Sequence, residues 1–163
     1  MRFAEDPRWD ERVDEQLERI FRDALEQSTD IRIDPITGDL IVNSAGDLDI
    51  VRGEDAIFQQ IMFRIRTVRG TYAIYPECGT ELMAMAGAPN SEETGMEISD
   101  QILRALTHDG FIPASLLQIE MAPTGENEIT GFIFVEGLTS ALAMVMDLRT
   151  GEVTKFQKIL ITS

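Results

Sequence analysis

The chain has 163 residues, 44% of them hydrophobic and 26% charged, and 29 acids against 14 bases give a formal net charge of −15. That length suits one domain with an added element, and the apolar share can fill a core. The charge excludes nucleic acid as a main partner, because phosphate binding needs clustered Lys and Arg.

Cys78 is the only cysteine and His108 the only histidine. Neither an internal disulfide nor a Cys-rich metal site can form from them. No apolar run reaches the ~18 residues of a membrane-crossing helix. The start, MRFAEDPRWDERVDEQ, is too acidic for a secretory signal. Synthesis and retention in a reducing cytoplasm, or export only as part of an assembly, is expected, with no membrane partner.

Residues 1–9, with Pro7 and Trp9, read as an extended arm. From Asp10 the apolar residues Val13, Leu17, Ile20, Phe21 and Leu25 recur at helical spacing. They predict an amphipathic helix to about Gln27, packed on its own domain or on a partner helix. Residues 1–28 thus form an arm and helix attached to a domain spanning 29–163.

IRIDPITGDLIV (31–42) predicts a β-hairpin with Pro35 and Gly38 in its turn. DLDIV follows as a short extended segment. EDAIFQQIMFRIR (54–66) predicts the central core helix, acidic in its first turn and basic in its last. Ile57, Ile61 and Ile65 mark its buried face, widened by Phe58 and Met62. Residues 67–70 end it, TYAIYP reads as extended, and GTELMAMAG as a short helix or turn.

Thr94 and Glu97 have capping-box spacing and predict the start of a second long helix, which Gly110 closes. Ile98, Ile102, Leu103 and Leu106 form its stripe. After Pro113 the period switches to two. LLQIEM, EITGFIFVEG, SALAMVMDL and EVTKFQKILI are four strands, with Leu142, Met144, Met146 and Leu148 on one face of the third. The predicted class is α+β: two core helices packed on a mostly antiparallel β-sheet, with an N-terminal amphipathic helix and β-hairpin.

Catalytic chemistry finds little support. His108 sits at a helix end, where its ring can meet terminal carbonyls. Carboxylates beside Cys78 in YPECGTE disfavour a thiolate, so packing is its expected job. Glu77 and Glu81 could form the two-carboxylate pair of a glycosidase, but with 29 acids in 163 residues close pairs are common. DLDIVRGEDAI departs from a calcium loop at its fifth and twelfth positions. No catalytic residue, metal site or cofactor is expected. Charge is more telling: residues 52–72 carry four Arg against two acids, and 73–103 carry six acids with no Lys or Arg. Adjacent patches of opposite sign suit head-to-tail contacts between protein surfaces.

The ordered series RIRT, RGTYAIYPECGTEL, a small-residue segment and an acidic-start helix resembles the baseplate wedge and sheath-initiator proteins of contractile phage tails. That family is shared with type VI secretion baseplates and is sometimes labelled lysozyme-like. Thr67, Gly70, Pro76, Glu77, Gly79 and Leu82 stand at the places of its motif. The upstream DPITGDLIV and DLDIVRGEDAIFQQI are similar too, and the resemblance spans about residues 30–136.

The resemblance implies a structural, non-enzymatic virion protein of the tail baseplate, assembled in the bacterial host cytoplasm in six copies per baseplate. Its neighbours would be baseplate wedge proteins and the tail sheath protein, with tube or hub proteins beyond them. It would link the wedge to the first sheath ring and initiate sheath assembly by strand addition. Family members carry Glu-Pro-Arg between the second helix and the first strand; here FIPA keeps Pro113 but has Ile112 and Ala114 instead. An apolar contact through Phe111 and Ile112 is expected in its place. Thr154, Lys155, Phe156, Lys158 and Leu160 form the candidate sheath-facing edge strand, because lysines guard an edge against indiscriminate pairing; the alternative is an internal strand of a closed sheet. The competing readings are a peptidoglycan hydrolase using Glu77 and an adaptor of another virion or secretion machine.

Overall fold

The computed structural model describes residues 7–34 and 37–161, with side chains in the first helix from residue 15 onward. The architecture is α+β, three helices with a two-stranded and a four-stranded antiparallel sheet. Helix α1 (Pro7–Gln27) starts three residues before the position the apolar spacing suggested. Proline's fixed φ and missing N–H suit a first helical turn, so 7–9 are not part of an extended arm. Residues 1–6 of that arm lie outside the described residues. Phe21 and Leu25 pack α1 onto the core, whereas Leu17 and Ile20 remain exposed.

The segment after α1 is a small β-module rather than a plain hairpin. Strand β1 (Thr29–Ile31) pairs with β2 (Ile50–Arg52). The predicted hairpin survives only as a bridge between Ile33 and Leu40, and a second bridge joins Val42 to Leu48. Ile41 explains the difference: its N–H donates to Arg32 O and its carbonyl accepts from Asp49 N–H, so the middle segment is shared by both neighbours. Pro35, assigned to the turn, lies outside the described residues.

Helix α2 (Glu54–Arg66) has the predicted bounds. Its Ile61 is wholly buried, and Gln59 anchors the β-module. Gln59 Oε1 accepts from Ile33 N–H at 2.9 Å, and its Nε2 donates to Ile31 O at 2.7 Å. A buried amide that satisfies backbone groups on a neighbouring segment fixes that segment's register.

A single 3₁₀ turn (Leu82–Met85) buries Leu82 and Met85 and leads to α3 (Glu92–Thr107). The N-cap is Ser91, not Thr94: Ser91 Oγ accepts the Thr94 N–H at 3.3 Å. Glu92 and Glu93 then fall in the first turn, where the helix dipole favours them.

Strands β3 (Leu117–Pro123), β4 (Glu128–Val135), β5 (Ser140–Asp147) and β6 (Glu152–Leu160) form a meander in that order. Met121, Gly131, Met144 and Phe156 are neighbours across the four strands on the helix-facing side. Leu142, Met144, Met146 and Leu148 are buried, as their alternation predicts. The core lies between this face and the isoleucines of α2 and α3. A register shift at Val145/Met146 leaves Thr154 as the extra residue of β6.

Candidate assembly surface

The motif residues build a closed loop across 67–80. Thr67 caps α2, its Oγ1 donating to Phe63 O at 2.7 Å. Thr80 N–H donates to Thr67 O at 2.8 Å and Arg69 N–H to Thr80 O at 3.0 Å, which makes Val68 and Thr80 a parallel bridge. Thr80 Oγ1 reaches Ile65 O at 2.9 Å, tying the closure to the end of α2. Gly70 N–H donates to Pro76 O at 2.9 Å inside the loop.

Gly79 has φ +108°, and a Cβ there would lie 2.3 Å from Thr67 O. Only glycine permits that close crossing of the chain. Between the closing bonds, TYAIYP runs as turns rather than as an extended strand. Among the described residues no strand pairs with its β-forming residues, so local turn bonds such as Tyr75 N–H to Tyr72 O prevail. Ile74 at the tip is 83% exposed.

The sequence-derived chemical candidates separate here. Cys78 is buried inside the loop, consistent with a packing role. The Glu77 side chain is 70% exposed and faces Arg104 at 3.9 Å, while Glu81 pairs with Arg69 at 2.9 Å. Each acid of the proposed pair therefore faces its own arginine. His108 Nδ1 lies 3.1 Å from Arg104 O at the α3 end. Among the described residues no cluster of three His, Cys, Asp or Glu could hold a metal ion, and no helix is long and apolar enough to cross a membrane.

The FIPA segment is built into the fold. Ile112 is wholly buried, its N–H donating to Leu106 O at 3.0 Å, and Pro113 is buried beside it. An outward contact through Ile112 would require pulling it from the core, so that expectation is corrected. Phe111 is partly buried, with the Arg64 guanidinium 4.2 Å above its ring. Arg64 also makes two bonds to the Asp109 carboxylate, at 2.9 and 2.8 Å. Burial alone would raise the Asp109 carboxyl, but the hydrogen bond and charge of Arg64 outweigh it and hold it below the usual carboxylate range.

The chain's other predicted surface is β6, which lies at one edge of the four-stranded sheet. Ile161 N–H donates to Thr139 O at 2.9 Å, and the same register pairs Leu160 with Ser140. Antiparallel alternation then turns the N–H and C=O of Ile159, Gln157 and Lys155 toward β5. Those of Leu160, Lys158 and Phe156 turn outward. Among the described residues, no further strand pairs with this edge.

No protein-family model matches the chain, and no curated protein does.

Beside the β6 edge runs a groove of about 300 Å³. Phe58, Gln59 and Met62 of α2 form its floor, Phe156 and Lys158 one wall, and Ile33 and Ile41 of the β-module the other. Arg66 stacks over the Phe156 ring at 4.8 Å, and Lys158 Nζ reaches Asp55 Oδ1 at 2.7 Å. Lys158 is thus engaged within the chain, while Lys155 projects from the other face of the strand. Periodicity marks Phe58 and Met62 only as core residues. Their place under a groove depends on where β6 and residues 33–41 return, and no local pattern reports that.

Proposed function

We propose that the chain is a structural baseplate protein of a contractile tail that links the wedge to the first sheath ring and initiates sheath assembly by strand addition. It acts in the virion, is assembled in the bacterial host cytoplasm, and performs no catalysis. Wedge and sheath proteins are its partners. The observation that carries this reading is the open edge of β6 beside an apolar-floored groove. An extended segment laid there would pair with Phe156, Lys158 and Leu160 and place alternate side chains over Phe58 and Met62. The motif at Thr67, Gly70, Pro76, Gly79 and Leu82 supports the same reading, because its closed loop fixes the C-terminal end of α2, the helix whose Phe58 and Met62 floor the groove.

Purified chain mixed with its cognate sheath subunit and viewed by electron microscopy tests it. Short sheath tubes capped by the chain are expected. Lys158→Pro removes one outward N–H while sparing the β5 ladder, and should abolish capping in a protein whose circular dichroism is unchanged. Sheath polymerisation indifferent to the parent chain would overturn the proposal.

A further inference from the structure

The opposite edge of the sheet offers a second docking site with a different chemistry. Thr124 N–H donates to Glu128 O at 3.0 Å and Glu136 N–H to Leu116 O at 2.8 Å, in the same register that pairs β3 with β4. By alternation the even residues of β3 bond to β4. The N–H and C=O groups of Leu117, Ile119 and Met121 face outward. Among the described residues, no strand pairs with them.

A groove of about 440 Å³ opens along this edge, between β3 and the first turns of α3. Ile119 and Met121 line it from the strand, and Met96, Ser99 and Asp100 from the helix. Met96 is 63% exposed there, a long apolar side chain with no cover. Asn90 closes one end, its Nδ2 donating to Gly125 O at 2.8 Å and Glu128 O at 3.0 Å. Those bonds hold the β3–β4 turn against the start of α3 and keep the groove walls apart.

Charge identifies the occupant. Residues 70–148 hold twelve carboxylates and a single arginine, Arg104. Arg104 lies toward the far end of α3, facing Glu77. Glu92 and Asp100 rim the groove on the helix side, and Glu120 stands on the other face of the strand. On the opposite side of the sheet, Lys155 and Lys158 stand on β6, with Arg66 over the Phe156 ring. The β6 groove pairs its charges, Lys158 with Asp55, whereas the β3 groove is rimmed by carboxylates alone, and this difference lets the two edges select different partners.

We infer that the β3 edge accepts an extended, lysine- or arginine-bearing segment of a neighbouring protein, which adds as a fifth strand against β3. Its apolar residues pack on Met96 and Met121, and its basic residues alternate onto the other face beside Glu120, drawn there by the field of Glu120 and of the rim carboxylates. Pro123, which has no N–H, ends the pairing and limits the added strand to the register of 117–121. This site is independent of the β6 edge and of the sheath reading.

The test uses the full ¹⁵N-labelled chain and a seven-residue peptide of alternating valine and lysine, with an alternating valine and glutamate peptide as control. Expected are binding of the lysine peptide alone, weakened by salt, and slowed amide exchange at Leu117, Ile119 and Met121. No slowing is expected at Phe156, Lys158 and Leu160. Met96→Arg places a cation in the groove at an exposed helix position and should weaken binding at least tenfold with the fold intact. Absence of binding, protection at β6 instead, or binding without amide protection at β3 would each overturn the inference. So would a dimer whose β3 amides are already protected without peptide.

Discussion

Gly79 is the position where the loop geometry makes the sharpest demand. In Gly79→Ala the new Cβ would lie 2.3 Å from Thr67 O, 2.8 Å from Thr67 C and 3.1 Å from Arg69 N, at φ +108°. The backbone conformation alone costs a non-glycine residue roughly 1–2 kcal/mol. The contact cannot be relieved by turning a side chain, since every atom it meets is backbone. The backbone at Thr67 must move, loosening the Thr80 to Thr67 and Arg69 to Thr80 bonds, each worth about 0.5–1.5 kcal/mol net. A loss of roughly 3 kcal/mol follows, or about 6–12 °C in Tm for a chain of this size. Gly70→Ala is the internal control: it has φ +89° in the same loop, but nothing lies within 4 Å of its Cβ. It should cost only the conformational part. Urea unfolding at constant m would measure both variants. Equal midpoints for the two would refute the close-crossing explanation.

Three other outcomes are expected. Asp109 has a folded carboxyl held below its ordinary value, so its stabilisation is present above the unfolded pKa of about 3.9 and is lost as pH falls below it. Asp109→Asn should therefore lower the urea midpoint at pH 7 and flatten its fall between pH 4 and 2; an unchanged pH dependence would contradict the Arg64 pairing. Met144→Ala, at a fully buried position in the middle of the sheet, should cost about 2–5 kcal/mol in equilibrium unfolding. Neither the parent chain nor Glu77→Gln should clear a peptidoglycan suspension, and clearing by the parent that Glu77→Gln abolishes would restore the hydrolase reading.

The sequence reveals the fold best where one face is buried along a whole element. Helix α2 and the four-stranded meander follow from apolar periodicity because a core on one side enforces that period. The residues that misled did so for local reasons. Tyr72, Ile74 and Tyr75 favour strands, yet a strand needs a neighbour and the loop supplies none. Ser91 and Thr94 each open a capping pattern, and the helix takes the earlier one, where two acids complete the first turn. The 31–42 segment has the composition of a hairpin, but Asp49 offers Ile41 a second partner from farther along the chain. Ile112 occupies a motif position associated with an outside contact, yet its burial depends on α3 ending at Thr107 and turning back over it. The β6 edge was legible from its lysines and its place at the end of the meander. The groove beside it was not, since three segments distant in sequence build it.

Strand addition at β6 is tested most directly by amide hydrogen exchange at residue resolution. Exchange would be compared for the free chain and for the chain co-assembled with its sheath subunit. Slowed exchange is expected at Phe156, Lys158 and Leu160 on assembly, with little change at Lys155, Gln157 and Ile159, whose N–H groups already face β5. Assembly that leaves the three outward amides exchanging at their free rate would contradict it.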